Sequence, residues 1–147
     1  MKLNIQTKLL VLLRVTLGAL FVYTGLLKLF TPGWSAAGYL AGAKNFTALY
    51  AFLGQPGIIE WVSLINEWAL TLLGVALITG LFLRVAAPLG ALLMLLYYAV
   101  LPFPFQSPNS FLIDEHIIYA LVLLVLASAN AGRHLSIQAL WRSRRTL

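Results

Sequence analysis

Hydrophobic residues run through this chain in long blocks, and the polar residues inside those blocks recur at helical spacing. The first block, Leu9 to Phe30, reads LLVLLRVTLGALFVYTGLLKLF. A bilayer core of ~30 Å takes ~20 residues at 1.5 Å each, so this block is long enough to cross. It nevertheless carries Arg14 and Lys28. Arg14, Gly18, Gly25 and Lys28 fall within about 40° of one line along a helix. One face therefore holds the cations and the glycines, and the rest is aliphatic or aromatic. Charge in a span faces a protein interior or a wet cavity, which makes this the inner face.

The same pattern predicts four spans, at roughly 8–30, 58–79, 84–101 and 112–131. Thr31-Pro32-Gly33 ends the first, because proline disfavours helix at the residue before it. Residues 34–54 are less hydrophobic and rich in aromatics (Trp34, Tyr39, Phe46, Tyr50, Phe52). They are expected to form one or two short interfacial helices or a re-entrant lid. Gln55-Pro56-Gly57 breaks the chain again. The second span carries Glu60, Glu67 and Gly74 on one face. Gly80 to Arg84 is a tight turn, and Pro88 is expected in the first turn of the third span, where proline is tolerated. Residues 102–112 hold three prolines and no charge, which predicts an irregular loop. Asp114-Glu115-His116 opens the fourth span, and residues 132–147 form a basic amphipathic tail along the membrane surface.

This predicts an all-α fold, an integral-membrane antiparallel four-helix bundle forming one domain over residues 1–147. Orientation follows from the cations. With the N-terminus inside, Lys2, Lys8, Arg84, Arg133, Arg142, Arg144 and Arg145 are cytoplasmic, against Lys44 and Lys28 at the outer side. That asymmetry predicts N-in, C-in.

Composition agrees. The chain is 61% hydrophobic and 10% charged, where a soluble domain has about 25% charged residues. Its net charge of +6 sits mainly at span ends, so it reads as topology and lipid contact rather than nucleic-acid binding. The absence of cysteine excludes disulfides and thiolate metal sites. No cleavable signal peptide is expected, since the first apolar run continues past Arg14 for a full span.

Depth along each helix brings the polar groups together. Counted from the cytoplasmic ends, Glu67, Tyr97, Tyr119 and His116 reach ~18–24 Å, and Asp114 and Lys28 ~27–28 Å. Arg14 lies lower, at ~9 Å, with a long side chain that reaches toward the middle and pairs with Glu67. Such a layer under an aromatic lid suits proton-coupled chemistry on a quinone. Glu67 and His116 are the candidates for proton handling. Arg14, Lys28 and Asp114 are candidates for charge compensation or substrate binding, with Tyr97 and Tyr119 lining the slot. Plainer readings stand beside these: an Arg14–Glu67 structural ion pair, helix capping by Asp114, and a hydrogen-bonded structural His116. His116 has no second histidine at metal-ligand spacing, so no metal is expected.

Arg14-x3-Gly18, Gly25-x2-Lys28-Leu29, Asn66-Glu67-Trp68 with Leu73-Gly74, TPGWSAAGYLAG, and DEHIIYALVLLVLASANAGRHLSI from Asp114 to Ile137 carry a family likeness. Over residues 8–137 the chain resembles the DoxX family, and within it the DoxD-like branch, the large subunit of thiosulfate:quinone oxidoreductase. The resemblance implies a multi-pass protein of a prokaryotic cell membrane. It also implies electron transfer from thiosulfate to a quinone, giving tetrathionate, and a small DoxA-like partner. No metal, haem or flavin motif is visible in the sequence, so none is expected and a direct two-electron route to quinone is needed; the chain is compatible with a homo-oligomer. Two other classes remain open: a non-enzymatic scaffold for a redox partner, using residues 34–54 and the basic tail, and a small-molecule or lipid carrier.

Overall fold

A computed structural model describes residues 4–103, 111–129, 131–133 and 136. Every regular element among them is helical: α1 (Ile5–Phe30), α2 (Ala37–Ala41), α3 (Thr47–Leu53), α4 (Ile59–Thr79), α5 (Leu83–Val100) and α6 (Glu115–Ser128), then a 3-10 turn at Ala131–Arg133. Of these, α1, α4 and α5 are long and apolar enough to cross a membrane. The chain is an all-helical membrane protein.

Local chemistry sets the boundaries. Asn4 caps α1, its side chain accepting from the Thr7 amide at 2.8 Å. Past the other end, Thr31 N–H returns to the Lys28 carbonyl and Pro32 follows. Gly80 closes α4 in the left-handed region, φ 72°, with its N–H on the Ala76 carbonyl. Asp114 starts α6 by accepting from the amides of His116 and Ile117.

Two expectations need correcting. The block at 112–131 forms a 14-residue helix, Glu115–Ser128, rather than a full-length span. The Asp114 cap fixes its start, and Ala129 is its C-cap, ahead of the 3-10 turn at Ala131–Arg133. Pro88 is the sixth residue of α5 rather than part of its first turn. The basic tail lies outside the described residues apart from 132, 133 and 136.

α1 packs along α4, α4 against α5, and α5 against α6. The α1–α4 seam is the closest. A Cβ built on Gly74 would stand 2.5 Å from the Val22 amide nitrogen and 2.6 Å from the Gly18 carbonyl oxygen. A Cβ on Gly25 would strike Thr71. Backbone cannot step aside as a side-chain tip can, so these glycines hold the helices together at backbone distance. They also fix an antiparallel register, with Gly18 facing Gly74 and Leu77, and Gly25 facing Thr71. Phe21, Leu73, Leu77, Met94, Leu123 and Leu126 fill the core between the four longer helices.

That register places Arg14 beside Gly80, at the end of the molecule holding the α4–α5 turn. Arg14 is fully buried. Its Nη1 donates to the Ala131 carbonyl at 2.7 Å. Glu67 lies thirteen residues back along α4, ~20 Å away at 1.5 Å per residue and beyond any arginine's reach. The expected Arg14–Glu67 pair does not form. The cation is instead balanced where α6 ends, a place of orphan carbonyls and negative helix-dipole charge.

Residues 34–54 form α2 and α3, which fold over the far end of α5. Tyr50 Oη donates to the Leu96 carbonyl at 2.8 Å, and Tyr39 Oη to that of Tyr97 at 2.9 Å. The Lys44 amide reaches the Val100 carbonyl at 3.1 Å, and the Asn45 side chain reaches that of Leu101. These four donors turn the end of α5 into the floor of a lid.

Substituting Gly74 with Ala should destabilise the protein by about 1–3 kcal/mol through overpacking against backbone. Gly38→Ala, where a Cβ meets nothing within 4 Å, should leave stability within about 0.5 kcal/mol. Thermal unfolding in one detergent compares the two directly. Arg14→Met should also lower the unfolding temperature, since it removes a charge-assisted hydrogen bond of about 1.5–3 kcal/mol and strands a buried carbonyl. Unchanged stability of that variant would remove Arg14 as a clamp.

Candidate functional site

Lys28 sits one turn from the lid end of α1 and turns inward. Its ammonium donates to Asn66 Oδ1 at 2.7 Å and to Tyr97 Oη at 3.3 Å. Asn66 Nδ2 also donates to Tyr97 Oη. One lysine, one amide and one phenol thereby tie α1, α4 and α5 together at a single level. The ammonium also stands 4.7 Å from the Trp34 ring centroid and 5.3 Å from that of Tyr97, so aromatic faces supply part of the lost hydration.

The donor count matters chemically. A phenol oxygen has two acceptor sites and one proton to give. Tyr97 Oη receives from both Lys28 and Asn66, and no acceptor for its own proton is found among the described residues. Lys28 uses two of its three ammonium protons on these partners. The cluster keeps hydrogen-bond donors in reserve.

His116 closes the site from the first turn of α6. Asp114 binds it twice: Oδ1 accepts from the His116 amide at 3.0 Å, and Oδ2 lies 2.6 Å from Nδ1. A carboxylate there requires the proton on Nδ1, leaving the Nε2 lone pair to accept. The imidazole meets the Tyr97 ring edge-to-face with centroids 5.6 Å apart. Tyr39 meets the same ring from the lid at 5.8 Å. The Tyr39 phenol is pushed up to about 12, first by burial and then by the charge of Asp114, so it remains a donor to the Tyr97 carbonyl through neutral pH.

Two cavities meet on this cluster. One, of about 420 Å³, lies under the lid and is lined by Lys28, Trp34, Tyr39, Asn66, Tyr97 and His116. The other, of about 320 Å³, lies between α1 and α6. Lys28, Tyr97 and His116 belong to both walls. A third cavity of about 400 Å³ adjoins at Trp34 and Ser35 and is lined by Glu60, Ser63 and Glu67.

Of the residues expected at one site, Lys28, Tyr97 and His116 come together, and Tyr119 joins them on the α1–α6 cavity wall. Glu67 lines the adjoining cavity, close enough for its charge to act on Lys28. Asp114 serves the site through His116 and the α6 cap. Arg14 stands at the opposite end of the molecule. Sequence reasoning passed over Asn66, Trp34 and Tyr39 as site residues. Asn66 left a signal, because an amide in an apolar 21-residue helix demands a partner. Its neighbour Glu67 drew attention as the charged residue, yet lies 100° around the helix.

Comparison with curated proteins and with solved structures gave no match. A sequence model of the DoxX family matches residues 9–102, from the second turn of α1 to just past the end of α5. That stretch contains Lys28, Asn66 and Tyr97, while Asp114 and His116 lie beyond it. Matched over more than half its length, the chain belongs to the DoxX family.

Proposed function

We propose that the protein is a subunit of a quinone-linked oxidoreductase, with thiosulfate or a related small reduced anion as donor. The supporting observation is the wall of Lys28, Tyr97 and His116 between two cavities. The lid cavity offers an anion the ammonium of Lys28. The α1–α6 cavity offers a quinone carbonyl the unspent proton of Tyr97 Oη. A donor and an acceptor on the two faces are one side chain apart, a distance that permits direct electron transfer.

Two thiosulfate ions together give up two electrons and join through a new S–S bond as tetrathionate. The quinone takes those two electrons and two protons to become quinol. His116 Nε2 relays protons, with Asp114 stabilising the imidazolium whenever it forms. Glu67, in the adjoining cavity, supplies a second proton carrier. The DoxD-like motifs support thiosulfate as the donor and a small DoxA-like subunit as partner. The cation asymmetry supports an N-in, C-in arrangement in a prokaryotic cell membrane, with α6 as the fourth crossing. The lid then faces outward, toward a water-soluble donor.

A carrier reading draws on the same two cavities, since both border Lys28. It is told apart by uptake into proteoliposomes that proceeds without an electron donor.

Tyr97→Phe and Lys28→Met should each lower thiosulfate-dependent quinone reduction by about 10²–10³-fold, the usual cost of losing one preorganised donor. Both variants should keep their helical circular dichroism. The assay is quinone absorbance with purified protein, with and without its co-purifying partner. Full turnover by both variants would refute the assignment.

A further inference from the structure

We infer that the α1–α6 cavity is the seat of a single-tailed amphiphile, whose ring head lies at Lys28, Tyr97 and His116 and whose tail leaves between α1 and α6 into the bilayer. This rests on the quinone reading above and adds how the tail lies in the cavity and by which seam the ligand arrives.

The cavity has two chemically different ends. Lys28, Tyr97, Glu115 and His116 form the polar end. Leu20, Phe21, Leu70 and Met94 form the apolar end. On α1 the lining residues Leu20, Thr24 and Lys28 are four apart and so share one face. The cavity therefore runs ~12 Å down that helix, from the ammonium toward the membrane interior. About 320 Å³ is at the small end for a ligand pocket, enough for one substituted ring and the start of a chain.

The opening is where the helix array is thinnest. The extensive helix contacts are α1 with α4, α4 with α5, and α5 with α6, while α1 and α6 have little backbone proximity. Their seam is held by the Phe21 and Tyr119 rings, edge-to-face with centroids 5.9 Å apart. Both rings line the cavity. Phe21 is fixed in the core, while Tyr119 is only partly buried and can swing away by side-chain rotation without moving a helix, which makes Tyr119 the lateral gate.

The rival seat is the groove between α4 and α5, larger at about 590 Å³. Its walls are leucine, alanine, valine and phenylalanine, with Thr79 its hydroxyl-bearing residue. It offers a tail a place and a carbonyl head almost nothing. The α1–α6 cavity serves both parts of the ligand.

The test is photolabelling of the full chain in lipid nanodiscs with a long-chain 1,4-benzoquinone bearing a diazirine on its tail, mapped by mass spectrometry. Label should fall on Leu20 to Thr24 and around Tyr119, and unlabelled long-chain quinone should displace it. Thr24→Trp, which fills the cavity from α1, should reduce labelling about tenfold, or ~1.4 kcal/mol in affinity. Leu20→Trp does the same should Thr24→Trp fail to fold. Label concentrated on Leu72 to Leu92, spread evenly over the lipid-facing surface, or unaffected by both tryptophans would overturn the inference. Labelling at the gate in a protein that reduces no quinone would leave the seat standing and defeat the redox reading. Turnover with label in the α4–α5 groove would do the reverse.

Discussion

A cation removed from water inside an apolar helix array must be met by hydrogen bonds and opposing charge, and this protein meets that demand twice in different ways. Arg14 is fully buried and directed at the Ala131 carbonyl, where α6 has just ended. Its planar fork suits a fixed acceptor, and the arrangement is a clamp. Lys28 is held by an amide oxygen, a phenol oxygen and the faces of Trp34 and Tyr97. Its hydrogen-bond partners are neutral, its third proton has no acceptor among the described residues, and two cavities reach it. One cation is directed at a backbone carbonyl, and the other borders two cavities.

The glycine seam makes that division possible. Gly18, Gly25 and Gly74 bring α1 and α4 to backbone contact and leave no freedom to slide. With that register set, Asn66 falls opposite Lys28, and Gly80 falls opposite Arg14. The lid depends on the same scaffold from the other side, because Tyr39, Lys44, Asn45 and Tyr50 latch onto the final carbonyls of α5. Tyr97 lies under that latch, with its carbonyl taken by Tyr39 and its hydroxyl by Lys28 and Asn66. The lid and the cluster are therefore tied to the same residue of α5.

Much of this was legible in the sequence, because it depends on period and punctuation. The Arg14–Gly18–Gly25–Lys28 stripe did prove to be an inner face, and Pro32 and Gly80 ended helices as their chemistry predicts. The aromatic-rich segment did fold as two short helices. Helix depth brought Lys28, Tyr97, Tyr119 and His116 to one layer without any contact information. Which side chains touch was not legible. Depth alone put Glu67 in that layer, but rotation about α4 turns Asn66 toward Lys28. The reach assumed for Arg14 failed for a related reason: helix phase gave its face, while its height against α4 was fixed by where the glycines meet. The fourth helix came out shorter than its apolar run, since capping at Asp114 and the turn after Ser128 set its length rather than hydropathy.

The central claim is that the unspent hydroxyl proton of Tyr97 is the head-group anchor of a membrane-soluble ligand. The most direct measurement is an experimental structure in lipid with a long-chain quinone bound. Ring density is expected between Tyr97 and Tyr119, with one carbonyl oxygen ~3 Å from Tyr97 Oη. Density for the ring elsewhere, with the Lys28–Asn66–Tyr97 cluster sealed and unoccupied at saturating quinone, would contradict it.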